Sequence, residues 1–372
     1  MKNFLRSISL AAALCAVGGA HAQAIIQNSQ VQLGVNTFGD LNAPGGTPAT
    51  GDGTRTVGLR SVRTNSDSTA PGCTCEGWGV GIRSTGQFGA ANTDVDGRVN
   101  LRLVSFTSSA TTAVSVVNVV NSVGVPILQV THDYHPLATT PFLYETTVTI
   151  TNLTGRALVA GDLVYRRVMD WDIPTPGNES VTIQGVPAAL GIANGANIAR
   201  TDNNGFNFGN PFSFESFGCT NVNFVNLRGG SPCPGGTGDG FSSSSDQGAM
   251  FDFEFTGLAI GASQVFNTYY GVAPDKATAD LARSLVDGDA STVDIGLYSY
   301  GSCFSGSIGA LPCNPATGAP DTFIFGFGVR AGVFVPPVTP PAGVPEPTSL
   351  ALVGLALAGA VYSTRRRTVR KS

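Results

Sequence analysis

The chain has 372 residues, of which 48 are glycine and only 12% are charged, and its formal net charge is −4. The first 22 residues and those after position 334 hold seven of the 21 basic residues and one of the 25 acidic residues. The body between them therefore has 14 basic and 24 acidic residues, a net charge of about −10, which makes it a poor partner for nucleic acid or anionic lipid.

Residues 1–22 have the layout of a secretory signal peptide. Lys2 and Arg6 precede an apolar run, and Ala20-His21-Ala22 provides the small residues of a cleavage site. We predict cleavage after Ala22. Cys15 follows a leucine rather than a small residue, which disfavours lipid attachment.

Residues 23–334 are predicted to form an antiparallel β-sandwich in one or two lobes, with long glycine-rich loops and one short helix. An even number of cysteines in an exported chain indicates disulfides. We expect two local pairs, Cys219–Cys233 and Cys303–Cys313. Cys73 and Cys75 would then pair with each other, or with a distant partner. The six cysteines of the body are Cys73, Cys75, Cys219, Cys233, Cys303 and Cys313.

Two glycine-containing segments follow the first cysteines. GWGVG at 77–81 lacks the later glycine and the helix of a dinucleotide site, so we predict a glycine-rich loop there. NTDVDG places Asn92, Asp94 and Asp96 at the alternating positions of a calcium loop. That pattern requires Asp at the first position and Glu where Leu103 lies, so a polar hairpin turn is the alternative to a calcium site.

Strand patterns dominate the centre of the chain. Residues 99–131 are rich in β-branched side chains, and the segments 141–152 and 162–174 alternate apolar and polar residues with period two. We predict that the last two segments pair as a hairpin. The polar face of this hairpin would carry Glu145, Arg166, Asp170 and Asp172, and Trp171 would lie in the core.

These four polar residues suggest one site with two interpretations. Asp170 and Asp172 are two apart on one strand face, so their carboxylates would lie close, and Glu145 would join them if the strands pair. Paired carboxylates can hydrolyse glycosidic bonds. The alternatives are a face that contacts sugar or an ion, and an ionic cluster with Arg166.

THDYHP contains the only two histidines of the body, His132 and His135. A metal site would need a third ligand from elsewhere, and a catalytic triad would need a nucleophile motif that the chain lacks. We therefore expect a solvated strand end, no catalytic residues, no metal and no cofactor.

A helix is predicted over residues 275–287, because Asp275 can cap its start and Gly288 can end it. Leu281 and Leu285 would lie on one side of it. Residues 323–335 are predicted to form a last strand.

The end of the chain has three parts. Residues 335–347 are a stiff, proline-rich spacer. Residues 348–372 contain an apolar run, Leu350–Tyr362, which is shorter than the roughly 20 residues of a comfortable membrane span. The basic cluster Arg365, Arg366 and Arg367 follows it and is typical of a stop-transfer signal.

The motif Val344-Pro345-Glu346-Pro347, the predicted transmembrane sorting helix and the terminal arginines together resemble the PEP-CTERM sorting signal of Gram-negative bacteria. The resemblance covers about the last 30 residues and implies processing by an exosortase after transient anchoring in the inner membrane. It also implies association with exopolysaccharide and biofilm formation. An ordinary C-terminal anchor is the alternative.

From these features we expect an exported, non-enzymatic structural or adhesive protein of the cell surface or extracellular matrix, with exopolysaccharide as a partner. The alternatives are a secreted carbohydrate-active enzyme that uses the paired carboxylates, and a calcium-dependent adhesin.

Overall fold

The computed structural model describes residues 23–73, 76–92, 97–173, 179–184, 198–206, 209–214, 220–222, 241–244, 248–286, 297–327, 329–330 and 333–334. All of them lie within one compact unit, Met1–Pro336. The predicted signal peptide, spacer and sorting helix lie outside these residues, so their boundaries stay predictions. Among the described residues no helix is long and apolar enough to span a membrane.

The described residues form strands and one helix, α1 (Lys276–Ser284). The strands are, in chain order, Gln23–Gln27 (β1), Val31–Asn36 (β2), Leu59–Ser61 (β3), Gly77–Ile82 (β4), Gln87–Asn92 (β5), Gly97–Val99 (β6), Leu101–Ser108 (β7), Ala113–Val120 (β8), Pro126–Pro136 (β9), Leu143–Asn152 (β10), Leu163–Asp170 (β11), Glu179–Gln184 (β12), Ile198–Asp202 (β13), Thr220–Val222 (β14), Phe241–Ser244 (β15), Gly248–Glu254 (β16), Ser263–Ala273 (β17), Tyr298–Cys303 (β18), Ser307–Ile308 (β19), Leu311–Pro312 (β20), Thr322–Phe327 (β21), Val329–Arg330 (β22) and Val333–Phe334 (β23).

Most strands belong to two antiparallel sheets. The large sheet has the order β15-β12-β18-β21-β17-β10-β9-β8-β7, and the small sheet has the order β14-β13-β16-β11-β4-β5-β6. A third sheet, β1-β2-β3, and the two-stranded ribbons β19-β20 and β22-β23 complete the set. The predicted antiparallel β architecture is confirmed, and so is the strand region at 99–131, which forms β6 to β9.

The two sheets pack face to face through aromatic side chains. Alternation along β21 turns Phe325 and Phe327 towards the small sheet, where they meet Phe251 and Phe253 of β16. The ring centroids of Phe251 and Phe325 are 5.6 Å apart, and those of Phe253 and Phe327 are 4.7 Å apart. These contacts form the sandwich core. The faces that point away from it are called the outer faces here.

The predicted hairpin between residues 141–152 and 162–174 is wrong. β10 pairs with β9 and β17 in the large sheet, whereas β11 pairs with β4 and β16 in the small sheet. The chain between them crosses from one layer of the sandwich to the other. Both strands bury an apolar face in the same core from opposite sides, so their alternation is the same as that of a paired hairpin.

The segment GWGVG forms β4 rather than the predicted loop, and every residue of β4 is buried. A Cβ atom on Gly79 would lie 1.6 Å from the carbonyl oxygen of Gly209. Glycine therefore lets the segment 209–214 lie directly on the outer face of the small sheet. The glycines of this strand serve close packing, not loop flexibility.

Helix α1 is confirmed, with Asp275 as its N-cap: the Asp275 side chain accepts a hydrogen bond from the amide of Thr278. The buried residues of the helix are Ala279 and Ala282. Leu281 and Leu285 are exposed, at 69% and 53%. The predicted leucine side is therefore not the packing side, because α1 approaches the outer face of the large sheet through its alanines.

Candidate functional site

Four ionisable side chains, three of them partly exposed, lie together on the outer face of the large sheet. Asp133, His135, Glu145 and Tyr269 are called the outer-face cluster here. The register places Glu145 of β10 directly between His135 of β9 and Tyr269 of β17. His135 Nε2 is 3.4 Å from Glu145 Oε1, and His135 Nδ1 is 4.0 Å from the Asp133 carboxylate. The side chains of His135 and Glu145 are 38% and 15% exposed.

Charge and partial burial within the cluster shift the pKa values of His135 and Asp133. The Glu145 carboxylate raises the pKa of His135 above its ordinary value, although partial burial opposes this rise. Partial burial raises the pKa of Asp133, and the nearby His135 opposes that rise. A half-exposed imidazole beside a carboxylate can exchange a proton with a bound ligand. The sequence separates these residues by ten positions, so only the strand register reveals the pair.

His132 does not join His135. The two residues are three apart in one strand, an odd separation, so they point to opposite faces of the sheet. His132 is fully buried in the sandwich core, where its Nε2 lies 3.1 Å from the Tyr165 hydroxyl. Burial lowers the pKa of His132 well below its ordinary value. The solvated strand end predicted for both histidines therefore holds for His135 alone, and the two do not form a metal pair.

Asp170 and Asp172 do lie close together, as the sequence predicted, at the end of β11. Cys73 lies beside them, with its Sγ 3.7 Å from Asp170 Oδ2 and 4.0 Å from Asp172 Oδ2. Within the described residues these three form the group whose spacing suits a metal ion. Cys73 is disulfide-bonded, however, so it does not provide the thiolate that a metal would bind.

The other two residues of the predicted polar cluster lie elsewhere. Glu145 belongs to the outer-face cluster on the large sheet. Arg166 is fully buried on the outer side of the small sheet, where its Nε and Nη2 donate to the two carboxylate oxygens of Asp252 at 2.6 and 2.8 Å. The prediction of one four-residue site is wrong, because β10 and β11 belong to different sheets. The core position of Trp171 is confirmed, and its Nε1 donates to Ser299 Oγ.

The sequence reasoning missed a charged network between the sheets. Arg167 Nε donates to Glu76 Oε1 at 2.6 Å, and the Tyr270 hydroxyl donates to the same oxygen at 2.7 Å. Arg167 Nη2 donates to the Tyr134 hydroxyl at 3.0 Å. All four side chains are 0% exposed. The sequence does contain a signal for this network: period-two alternation places Arg167 on the same strand face as the core residues Tyr165 and Met169.

This network also fixes the segment 37–41, which enters the core after β2. Glu76 Oε2 accepts from the amide of Leu41 at 2.7 Å, and the Tyr134 hydroxyl donates to the carbonyl of Gly39 at 2.8 Å. Gly39 has φ +83°, and a Cβ there would lie 2.7 Å from His132 Nδ1. Because the network is closed to solvent and satisfies buried backbone groups, its role is structural.

Two further predictions are partly covered by the described residues. The disulfide Cys303–Cys313 is confirmed, with a Cα–Cα distance of 5.9 Å. The partner of Cys73 lies outside the described residues, as do Cys75, Cys219 and Cys233. Asp94 and Asp96 of the calcium hypothesis also lie outside them, and Asn92 is a buried residue at the end of β5.

Comparison with known proteins identifies the sorting segment. Residues 343–367 match the family model described as the PEP-CTERM protein-sorting motif. The chain therefore carries a sorting motif of this kind, which implies export, transient anchoring at the membrane and processing by an exosortase. The match does not extend to the body.

The remaining comparisons do not assign the body. No curated protein matches the sequence. Among solved structures, the chain is similar to a galactose mutarotase related enzyme from Lactobacillus acidophilus, with 7% identity and a TM-score of 0.32. The similarity covers 82% of this chain and 85% of that one.

Proposed function

We propose that the processed body is a non-enzymatic structural or adhesive protein of the cell surface or of an extracellular polysaccharide matrix. The observation that carries this proposal is the PEP-CTERM motif at residues 343–367, which directs the protein out of the cell. The Cys303–Cys313 disulfide supports the same environment, because such bonds persist in oxidising compartments.

The state of the charged groups supports a structural role. Two ion pairs of the described residues, Arg166–Asp252 and Arg167–Glu76, are buried, and the members of each pair bind each other rather than face a cleft. The outer face of β10 instead presents Thr147, Thr149 and Thr151, alternating with core residues. A broad sheet face with hydroxyl groups suits contact with a hydrated glycan better than turnover of a small molecule.

Deletion of the gene in the native host tests this proposal. We expect the protein to sediment with the extracellular polysaccharide, and we expect the deletion strain to form a matrix of lower cohesion that the wild-type gene restores. A gene variant with Pro345, Glu346 and Pro347 replaced by alanine is the matched control for sorting. An unchanged matrix in the deletion strain, with no protein in the polysaccharide fraction, would contradict the proposal.

A secreted carbohydrate-active enzyme is the second candidate, because the Glu145–His135 pair is accessible and Asp170 lies close to Asp172. The test measures sugars released from the host polysaccharide by the wild-type protein and by the Glu145→Gln, Asp170→Asn and Asp172→Asn variants. Release by the wild type that one of these variants abolishes, while it remains folded, would establish this candidate in place of the first.

A further inference from the structure

A cavity of about 100 Å³ lies on the outer face of the large sheet, between three of its strands and the start of α1. It is smaller than the several hundred Å³ of a pocket that encloses a whole drug-sized ligand, so it suits one end of a larger molecule. Its lining consists mainly of hydroxyl side chains and one lysine. The residues that matter here are Ser180, Thr182, Tyr300, Ser302, Thr322 and Lys276.

The strand register arranges the hydroxyl groups in rows. Ser180 of β12 lies opposite Ser302 of β18, which lies opposite Thr322 of β21. Thr182 lies opposite Tyr300 in the next row. Within the described part of the chain, no hydrogen bond involves the hydroxyls of Ser180, Thr182 or Ser302. These groups can donate and accept, so they match a ligand that is itself rich in hydroxyl groups.

The hydroxyl of Tyr300 is already engaged. It donates to Asp280 Oδ1 at 2.9 Å and accepts from Arg283 Nε at 3.3 Å, and both partners lie on α1. The tyrosine is therefore held in place, and it is one of the residues that line the cavity.

Lys276 gives the cavity its charge. It is the only lysine between residues 23 and 334, in a body with a net charge of about −10. It occupies the first position of α1, where the helix dipole disfavours a cation. No ion pair involves it among the described residues. A cation at this position does not stabilise the helix, but it would attract and bind a negatively charged ligand.

We propose that this cavity binds a carboxylate-bearing sugar unit, such as a uronic acid of an acidic polysaccharide. Lys276 binds the carboxylate, and Ser180, Thr182 and Ser302 form hydrogen bonds with the ring hydroxyls. This inference rests on the proposed matrix function and specifies the chemistry of the glycan that the protein contacts.

Calorimetric titration of protein produced from the full-length chain tests the inference. The probes are hexagalacturonate and its methyl ester, which has the same backbone without the charge. We expect the acid to bind about tenfold more tightly than the ester, and Lys276→Gln to weaken binding of the acid by about tenfold. Lys276→Arg should keep the affinity within about threefold, and higher salt should weaken binding.

One variant controls for general charge, and a second tests the hydroxyl contacts. Arg102→Gln removes an exposed cation from β7, far along the sheet order from the cavity, and should leave binding unchanged. Ser302→Ala should weaken binding while leaving the charge intact. Equal affinity for acid and ester, or full binding by Lys276→Gln, overturns the inference. Binding of inorganic phosphate or a sulfated oligosaccharide through Lys276, without binding of the uronate, also overturns it.

Co-sedimentation with the host polysaccharide separates this inference from the matrix proposal. If the wild type and Lys276→Gln sediment equally with the polysaccharide, the cavity inference fails and the matrix proposal stands. If neither sediments with it, the matrix proposal fails, whatever the titration shows.

Discussion

The Glu76–Arg167 pair shows how a buried charge can be required without being a source of net stability. Burial raises the pKa of Glu76, and the positive charge of Arg167 opposes this rise. A buried pair loses its hydration, so its net contribution is small, but removal of one partner leaves the other buried alone. We expect Arg167→Met to lower the free energy of unfolding by about 3–5 kcal/mol. Denaturant unfolding at neutral pH measures this loss.

A surface pair provides the control for that experiment. Arg83 and Glu254 also form an ion pair, but their side chains are 38% and 22% exposed. Arg83→Met should change the stability by no more than about 1 kcal/mol. The double variant Glu76→Leu/Arg167→Met should lose less stability than Arg167→Met, because it removes both charges. If Arg83→Met lost as much stability as Arg167→Met, burial of the ion pair would not be what determines the loss.

The two histidines of β9 should respond to pH in opposite directions. The pKa of His135 is raised above its ordinary value of 6.5 and that of His132 is lowered below it. His135 therefore stabilises the fold below about pH 6.5, and this contribution is lost as the pH rises through its folded-state pKa. The contribution of neutral His132 is present above about pH 6.5 and is lost as the pH falls.

Unfolding curves at several pH values, compared between the wild type and the variants His135→Gln and His132→Gln, test these signs. His135→Gln should be destabilising relative to the wild type at pH 5.5 and neutral at pH 8.5. The stability that the wild type holds over His132→Gln should instead shrink as the pH falls from 8.5 to 5.5. NMR titration of the two imidazoles supplies the folded-state pKa values, and a raised pKa for His132 would refute its burial as described.

At the level of residues, the sequence predicted what alternation within one strand determines. The core position of Trp171 and the proximity of Asp170 and Asp172 follow from period two alone. The outer-face pair of His135 and Glu145 depends on which strands are neighbours and in which register, and a single sequence does not contain that information. The same limit explains why Glu76 was not linked to Arg167.

At the level of elements, β10 and its predicted partner β11 show why a local pattern predicts strands but not which strands pair. Each has an apolar face that the core requires, so each was predicted as a strand at nearly its observed position. Sandwich connections often cross between layers, and an alternating pattern is identical whether the next strand is beside it or across the core. The pairing is decided by packing of the whole sheet.

The disulfide Cys303–Cys313 stabilises the loops that follow β18. Its cysteines are ten residues apart, so the entropy of closing that loop in the unfolded chain corresponds to about 3 kcal/mol. We expect Cys303→Ser/Cys313→Ser to lose stability of that order in denaturant unfolding. A stability equal to that of the oxidised wild type would mean that the loops are held by their other contacts.

The start of α1 combines a favourable and an unfavourable residue. Asp275 caps the helix by accepting from the amide of Thr278 at 2.8 Å, so Asp275→Ala should cost about 1 kcal/mol. Lys276→Gln should instead raise stability slightly, because it removes a cation from the positive end of the helix dipole. Thermal unfolding of both variants at low salt measures the two effects. A loss of stability in Lys276→Gln would mean that the lysine supports the fold, which would remove one reason to assign it to a ligand.

At the scale of the whole molecule, the two ends of the chain and the body differ in charge and in composition. The ends hold a third of the basic residues, and the body combines a sealed core, acidic charge and disulfide-bonded loops. Such a body is suited to remain folded outside the cell, where no reducing system protects or repairs it. The sorting motif and the composition of the body therefore indicate the same destination.

Processing at both ends is the last prediction, and intact mass spectrometry of protein from the native host tests it. We expect an N-terminus at Gln23 and a C-terminus near the motif at residues 344–347, because the proline-rich spacer leaves that motif extended and accessible. Three disulfides among the six body cysteines would add about six daltons on reduction, two for each bond. Alanine at Pro345, Glu346 and Pro347 should retain the residues up to Ser372 and keep the protein in the membrane fraction. A wild-type protein that still ends at Ser372 would show that the segment acts as a permanent anchor, and a matrix role for the released body would then be untenable.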